Sequence, residues 1–262
     1  MVDWDGAGYG HISDLQRTMA SNSIAAITVR GDERVLDIGC GDGYVTRLIA
    51  DRLPNGSVLG IDPSPRMIAA ARPSDNVRFE IGDVTTMTFD SEFDLAVSFN
   101  ALHWVHDQPT AYANIAAALR PGGRLIAQFV CVGERRSVEQ VAMDVTRDGR
   151  WSGAFVGYTP PFVHIDPASL ASLADEAGLR VTTQSVVDQE WDFGSREDFT
   201  GWCTVGFTDW TSRLDAADVE AFVEAVVDRY EQIVGKAGVF RFMQLRAELE
   251  RASAPGYTTS AR

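Results

Sequence analysis

The sequence predicts a doubly wound α/β fold: helices on both faces of a mostly parallel sheet, with an antiparallel pair of strands at one edge. Three observations point there. From residue 34 to residue 130, short apolar runs alternate with segments of helical spacing, and that alternation means parallel strands joined by right-handed crossovers. A turn holding three alternate glycines, Gly39, Gly41 and Gly43, follows the first apolar run directly. Residues 180–191 and 239–249 alternate as strands on either side of a long amphipathic stretch, which suits an antiparallel pair at the sheet edge. Residues 245–249 taken alone fit a helix equally well.

In chain order, Ile12, Leu15, Met19, Ile24 and Ile27 fall at helical spacing over 13–29, with Ser13 placed to cap them. Residues 34–38 form the first strand and 44–53 a helix. A second strand at 58–62 leads to a helix over 64–72 with Pro65 in its first turn, where a missing N–H costs little. Residues 77–81, 93–99 and 124–130 read as further strands, and 110–119 as a helix ending at Arg120-Pro-Gly-Gly123. Beyond 130 the pattern loosens: 131–163 mix glycines and aromatics around a helix at 137–147. Asp166-Pro167 pairs an N-cap with a first-turn proline, and Gly178 closes that helix. Residues 215–234 form a long amphipathic helix, and the tail from 252 is expected to be disordered.

The bulk numbers narrow the class. The 262 residues suffice for one α/β domain carrying an insertion. The expectation is a single domain over 1–262, with a core at about 30–130 and a helical cap from about 131–163 and 195–235. Hydrophobic residues make up 45%, yet no apolar run approaches the ~20 residues that span a bilayer. The acidic N-terminus lacks a secretory pattern. Cys40, Cys131 and Cys203 are too few and too scattered for a disulfide framework or a zinc site, and the four histidines show no metal-ligand spacing, so no metal is expected. These features suit a cytoplasmic protein. A net charge of −14 repels phosphate backbones, which argues against nucleic acid as a partner; no membrane partner is expected, and the oligomeric state is left open. All 23 basic residues except Lys236 are arginine, a mark of coding bias rather than of phosphate binding.

The glycine turn decides the ligand class. Glycine allows positive φ and close backbone approach, and open α/β sheets bind ligands beyond the carboxyl ends of their strands. The dinucleotide pattern G-x-G-x-x-G fails, because its sixth position from Gly39 is Tyr44. Asp37, ahead of the turn, suits a ligand with an ammonium group. Asp62, at the end of the second strand, is placed to accept ribose hydroxyls. Asp83 follows the third strand, where a carboxylate meets an adenine amino group and the Val84 N–H meets a ring nitrogen; Asp83 also reads as a helix cap.

Taken together, Asp37-Ile-Gly-Cys-Gly-Asp-Gly43, Gly60-Ile-Asp62, Gly82-Asp83, Asn100-Ala-Leu-His-Trp104 and Leu119-Arg-Pro-Gly-Gly123 resemble the class I S-adenosylmethionine-dependent methyltransferases, motif by motif and in order. Tyr9 with Gln16-Arg17, the Leu102-His-Trp-Val segment and Gly201-Trp-Cys-Thr-Val-Gly-Phe-Thr-Asp-Trp210 resemble the trans-aconitate and juvenile-hormone-acid methyltransferase group within it. The resemblance implies a Rossmann-like, seven-stranded sheet and S-adenosyl-L-methionine as cofactor. It implies Gln16 as a contact for the cofactor carboxylate, Met67 lying over the adenine where plain packing is the competing reading, and Asn100 at the cofactor.

Methyl transfer is an in-line displacement at a sulfonium, so the protein chiefly positions the nucleophile. His103, beyond the fourth strand, is the candidate general base, with Trp104 beside it as an indole donor or packing ring. His11, His106 and His164 read as structural or exposed. Trp151, Trp191, Trp202 and Trp210, with Phe155, Tyr158, Phe162 and Phe207, suggest an apolar substrate pocket under the cap or an ordinary helical core. Arg150 or Arg213 is a candidate fork for a substrate carboxylate, with an ordinary surface arginine as the default reading, and the sequence singles out no arginine as the clamp. The expected reaction is methylation of a small molecule, at oxygen first; C- or N-methylation, and a non-methylating reaction such as cyclisation, are the alternatives.

Overall fold

The computed structural model describes residues 27–252 together with Thr18 and Ile24. Strands form where short runs are rich in Val, Ile, Leu and Phe: β1 (Arg34–Ile38), β2 (Ser57–Asp62), β3 (Val77–Ile81), β4 (Phe93–Phe99) and β5 (Leu119–Val130). Between them stand α1 (Tyr44–Ala50), α2 (Pro65–Ala70) and α3 (Gln108–Ala118). The Ser64 hydroxyl accepts the Met67 N–H, and the Asp107 carboxylate accepts the Thr110 N–H. Pro65 and Pro109 thus occupy first turns, where the helix asks for no donor. Then come α4 (Val138–Val145), α5 (Leu170–Glu176), β6 (Leu179–Asp192), α6 (Arg196–Gly206), α7 (Thr208–Thr211), α8 (Ala216–Val234) and β7 (Val239–Arg251).

The seven strands make one sheet in the order β3-β2-β1-β4-β5-β7-β6. The first five are parallel, and β7 runs antiparallel to both its neighbours. This is the Rossmann-like, doubly wound sheet that the sequence predicts. One face carries Val35, Ile49, Leu53, Val58, Leu95 and Val97 under α1. The other buries Leu36, Ala96, Tyr112, Ile115, Leu125 and Leu170 under α3 and α5.

Several local expectations need correcting. Arg120-Pro-Gly-Gly123 does not end a helix before a separate strand. β5 already begins at Leu119 and absorbs the segment through a register shift opposite Phe93 and Leu95, with Gly122 at φ 76°. The last strand pairs antiparallel with its predecessor at the sheet edge as expected, but α6, α7 and α8 lie between them, and β6 rather than the last strand forms the edge. Residues 245–249 are strand. The helix expected over 13–29 lies almost wholly outside the described residues, and 27–30 are not helical. Gln16 and the tail beyond Ala252 also fall outside them.

β7 organises the second half of the molecule. Its buried positions alternate with period 2 but change face midway: Phe240, Phe242 and Gln244, then Leu245, Ala247 and Leu249. The later set joins the main core, whereas Phe240 and Phe242 pack with α4, α6 and α8 in a separate cluster around Phe199, Phe222 and Trp210. The ladder with β5 ends at Val130–Gln244, followed by one bond from Cys131 N–H to Met243 O, and Val239–Phe242 pair only with β6. The β6–β7 ribbon therefore runs past the carboxyl ends of the parallel strands and carries the helical cluster with it. Among the described residues, no helix is long and apolar enough to cross a membrane.

Candidate active site

All five parallel strands end at one edge, and the chemistry-bearing turns gather there. The turn after β1 shows how tightly. Gly39, Gly41 and Gly43 have φ of 73°, 56° and 76°, a region closed to most side chains. A Cβ on Gly39 would lie 2.2 Å from Ala101 Cβ, and one on Gly43 would lie 2.4 Å from Phe79 Cζ. Gly41 differs: a Cβ there meets nothing within 4 Å. Its backbone borders open space, which leaves room for a ligand.

Asp62 closes that hollow. Its Oδ2 accepts the Gly41 N–H at 3.0 Å and its Oδ1 accepts the Ser64 N–H at 2.9 Å, so the carboxylate is fixed at the end of β2. Asp37 sits deeper, 2% exposed, beneath the loop. Its Oδ2 accepts the Thr46 hydroxyl at 2.6 Å. Burial, offset in part by that bond and reinforced by the Asp62 charge, pushes its pKa up to about 7. The Thr46 bond uses one of the two carboxylate oxygens and leaves Oδ1 for another donor.

After β3, Asp83 Oδ1 accepts both the N–H and the hydroxyl of Thr85, at 2.8 and 2.7 Å. No helix follows, so Asp83 caps a turn over residues 84–86 rather than the helix the sequence also allowed, and its Oδ2 is left for another donor. The Val84 carbonyl accepts from Asn114 at 2.9 Å, while the Val84 N–H has no partner among the described residues. Met67 is buried on α2.

After β4, Asn100 takes φ 56°, a strained conformation that asparagine tolerates best among non-glycine residues. Its N–H donates to Gln128 O at 2.7 Å. The strain turns the chain so that Ala101 meets Gly39 and a single 3₁₀ turn, Leu102–Trp104, follows. Gln108 Nε2 donates to the carbonyls of Leu102 and Val105, each at 2.7 Å, and the Val163 N–H donates to His103 O at 2.7 Å. The turn is clamped from two sides. His103 is 4% exposed, its Nδ1 has no partner, and burial, with the nearby His164, holds its pKa well below the ordinary value. Its ring is 5.1 Å from that of Trp104, which packs against the helical cluster.

The structure brings together Gly39, Gly41, Gly43, Asp62, Asn100 and the His103–Trp104 turn. The substrate-side expectations fare differently. Arg150 is exposed, pairs with Asp218 at 2.9 Å and lies over the Trp151 ring, and Arg213 lies over Tyr158, so neither is aimed into the interior. Trp151 and Trp210 are core residues, the latter donating its indole N–H to Met143 Sδ at 3.3 Å. His164, expected to be structural or exposed, has both ring nitrogens buried and lies 6.1 Å from His103. No spacing in the sequence announces this, because the backbone bond from Val163 to His103 joins positions 60 residues apart.

Residues 35–123 match the family described as "Methyltransferase domain". The trans-aconitate 2-methyltransferase of Deinococcus radiodurans is 31% identical to this chain over 233 residues, covering 85% of this chain and 88% of that protein. The chain belongs to the class I S-adenosylmethionine-dependent methyltransferases. Among solved structures, the [4+2]-cyclase SpnF superposes with a TM-score of 0.61 at 18% identity, over 91% of this methyltransferase and 81% of that chain. A geranyl diphosphate methyltransferase in complex with SAM gives 0.56 at 17%, over 90% and 85%. At such identities these two show a shared fold alone.

Two outcomes follow for the methyltransferase. Gly39→Ala forces the Asn100–Ala101 turn away and weakens S-adenosylhomocysteine binding by calorimetry; adding Ala101→Gly relieves the clash and restores part of the affinity, leaving a left-handed backbone cost of about 1 kcal/mol. Asp37 holds its proton up to about 7 when folded, against 3.8 as the ordinary value. The stability it contributes is therefore full at low pH and is lost as pH rises through about 7. Asp37→Asn keeps the Thr46 bond without a charge, so thermal melts should show its advantage over wild type growing from about pH 5 to about pH 7.5. A constant difference would mean that Asp37 is ionised throughout.

Proposed function

We propose that this methyltransferase transfers a methyl group from S-adenosylmethionine to an oxygen of a small-molecule acceptor bound between the strand ends and the helical layer. The observation that carries this reading is the open space at Gly41, bordered by a fixed Asp62 and joined through Gly39 and Ala101 to the His103 turn. The residues fit the cofactor. Asp62 would hold the ribose hydroxyls, with Asp83 Oδ2 and the Val84 N–H on the adenine, Met67 against its face, and Asn100 beside the glycine loop. Gln16 completes the set at the cofactor carboxylate, by resemblance. Asp37 lies under the loop as a buried acid that ionises most readily when a cation sits above it.

When bound, S-adenosylmethionine supplies a methyl group on a sulfonium that is its own leaving group. The chain's part is placement and proton handling. Burial holds His103 neutral at physiological pH, so its ring can accept a hydroxyl proton. Trp104 forms a wall between that ring and the helical cluster. Residues 131–163 and 195–235 serve as the cap, held over the carboxyl ends by the β6–β7 ribbon. Oxygen as the acceptor atom is supported by the Deinococcus relative, named for trans-aconitate, whose heteroatoms are all oxygens.

Asp62→Ala is expected to weaken S-adenosylhomocysteine binding roughly 30-fold or more in calorimetry, the loss of hydrogen bonds to a charged group. Undiminished binding would remove Asp62 from the ribose role. His103→Ala is expected to lower kcat by about 100-fold or more with little change in KM, measured on an acceptor found by labelled-methyl screening of cell extract. Equal turnover in wild type and variant would exclude His103 as the base.

A further inference from the structure

The turn that carries His103 and Trp104 holds few bonds of its own. A single 3₁₀ turn closes on two of them, Trp104 N–H to Ala101 O at 3.0 Å and Val105 N–H to Leu102 O at 3.1 Å. So short a piece is marginal without support from outside. Three further bonds supply it. One comes from the Val163 N–H, and two come from the side chain of Gln108, which donates to the Leu102 and Val105 carbonyls at 2.7 Å each. Two facing carbonyls admit only the NH₂ end of the amide.

Gln108 is itself well anchored. It opens α3 directly after the Asp107 cap, whose carboxylate accepts the N–H and the hydroxyl of Thr110 at 3.1 and 2.7 Å. The same helix is fixed in the core by Ala111, Tyr112 and Ile115, all fully buried. A rigid helix thus reaches back through one side chain to the turn that precedes it. As a source of stability the arrangement is poor. Gln108 is buried while its Oε1 has no hydrogen-bond partner, and an unpaired buried acceptor offsets much of what the two bonds contribute. An apolar side chain would bury as well without that cost. Departures of this kind from the rules of stable packing are expected at functional sites.

We propose that Gln108 is a positioning residue for methyl transfer, which holds the His103–Trp104 turn in register with the glycine loop so that the base and the bound cofactor keep a fixed relation. The proposal rests on the reading of His103 as the base. Gln108 acts through the backbone at Leu102 and Val105, on either side of that residue. The cofactor half of the site has its own fixed points, the bond from Gly41 N–H to Asp62 and the contact of Gly39 with Ala101. Loss of the Gln108 donors therefore frees the base and leaves the cofactor loop in place. A displacement of about 1 Å at a reacting group costs up to about 100-fold in rate.

Two variants of the full chain test it. Gln108→Met keeps the length of the side chain and removes the donors; Gln108→Glu keeps its shape and turns lone pairs toward two carbonyls. The probe is methyl-labelled S-adenosylmethionine, with the small-molecule fraction of cell extract as the acceptor pool. Both variants are expected to lower the maximal rate roughly 10- to 100-fold, Gln108→Glu the more. The KM for S-adenosylmethionine and the calorimetric affinity for S-adenosylhomocysteine should stay unchanged. The double variant His103→Ala/Gln108→Met should be no slower than His103→Ala alone, because nothing is left to position; a merely structural role adds its loss to either background. Histidine labelled with ¹⁵N gives a readout that needs no acceptor: with S-adenosylhomocysteine bound, the His103 ring signals should move in Gln108→Met. Should Gln108→Glu fail to fold, Gln108→Met carries the test. Full activity of Gln108→Met, an additive loss in the double variant, or unmoved His103 signals overturn the proposal. A fully active His103→Ala is a different result, which sinks the base reading and takes this one with it.

Discussion

The contact between Gly39 and Ala101 is the constraint on which the site depends. Two turns that leave neighbouring strands meet with no room for a methyl group, since a Cβ on Gly39 would sit 2.2 Å from the Ala101 Cβ. Close-packed interiors do not yield gradually, so the contact fixes the loop that borders the Gly41 hollow against the turn that carries His103. Asn100 meets the cost on its side by adopting φ 56°. Strain of order 1–3 kcal/mol persists only where the surroundings over-determine it. Here the bond from Asn100 N–H to Gln128 O and the Gln108 clamp on the following turn do so.

A second constraint places the helical layer. β7 keeps a strict two-residue alternation but exchanges its buried face between Gln244 and Leu245. One strand can therefore serve two cores on opposite sides, the sheet's own and the aromatic cluster around Phe240 and Phe242. Because its first residues pair only with β6, that cluster stands beyond the carboxyl edge. The long connection through α6, α7 and α8 closes over the same edge. Arg196 anchors it through Glu224 and Asp228 at 2.6 and 2.7 Å, and through Glu231.

Local patterns were legible in the sequence, and long-range meetings were not. The strands β1 to β4, the second half of β5 and the capping residue Asp166 follow from periodicity and side-chain chemistry within a few residues. The roles of Gly39 and Gly43 needed Ala101 and Phe79, their partners across the sheet edge. Residues 239–249 looked partly helical because the change of face in β7 interrupts the simple alternation. The interior place of His164 was invisible for a related reason. It depends on the Val163 bond to His103, and a lone histidine in an aromatic-rich stretch carries no sign of such a neighbour. Arg150 and Arg213 follow the default reading of surface arginines. Their residue type suits a carboxylate clamp, but ion pairing and ring stacking at the surface already employ them.

Burial treats the two kinds of titratable group at this edge in opposite ways. It makes Asp37 keep its proton to about 7, and it strips His103 of its own well below the ordinary value, so both tend toward neutrality. The pattern is that of an interior with little charge before ligands arrive. On the proposed reading, a cation bound above Asp37 would favour its carboxylate over the neutral acid. The same desolvation that keeps His103 free of a proton also makes it a weaker base, a cost that the proposed role would have to meet. Neither effect would survive if water reached these groups freely.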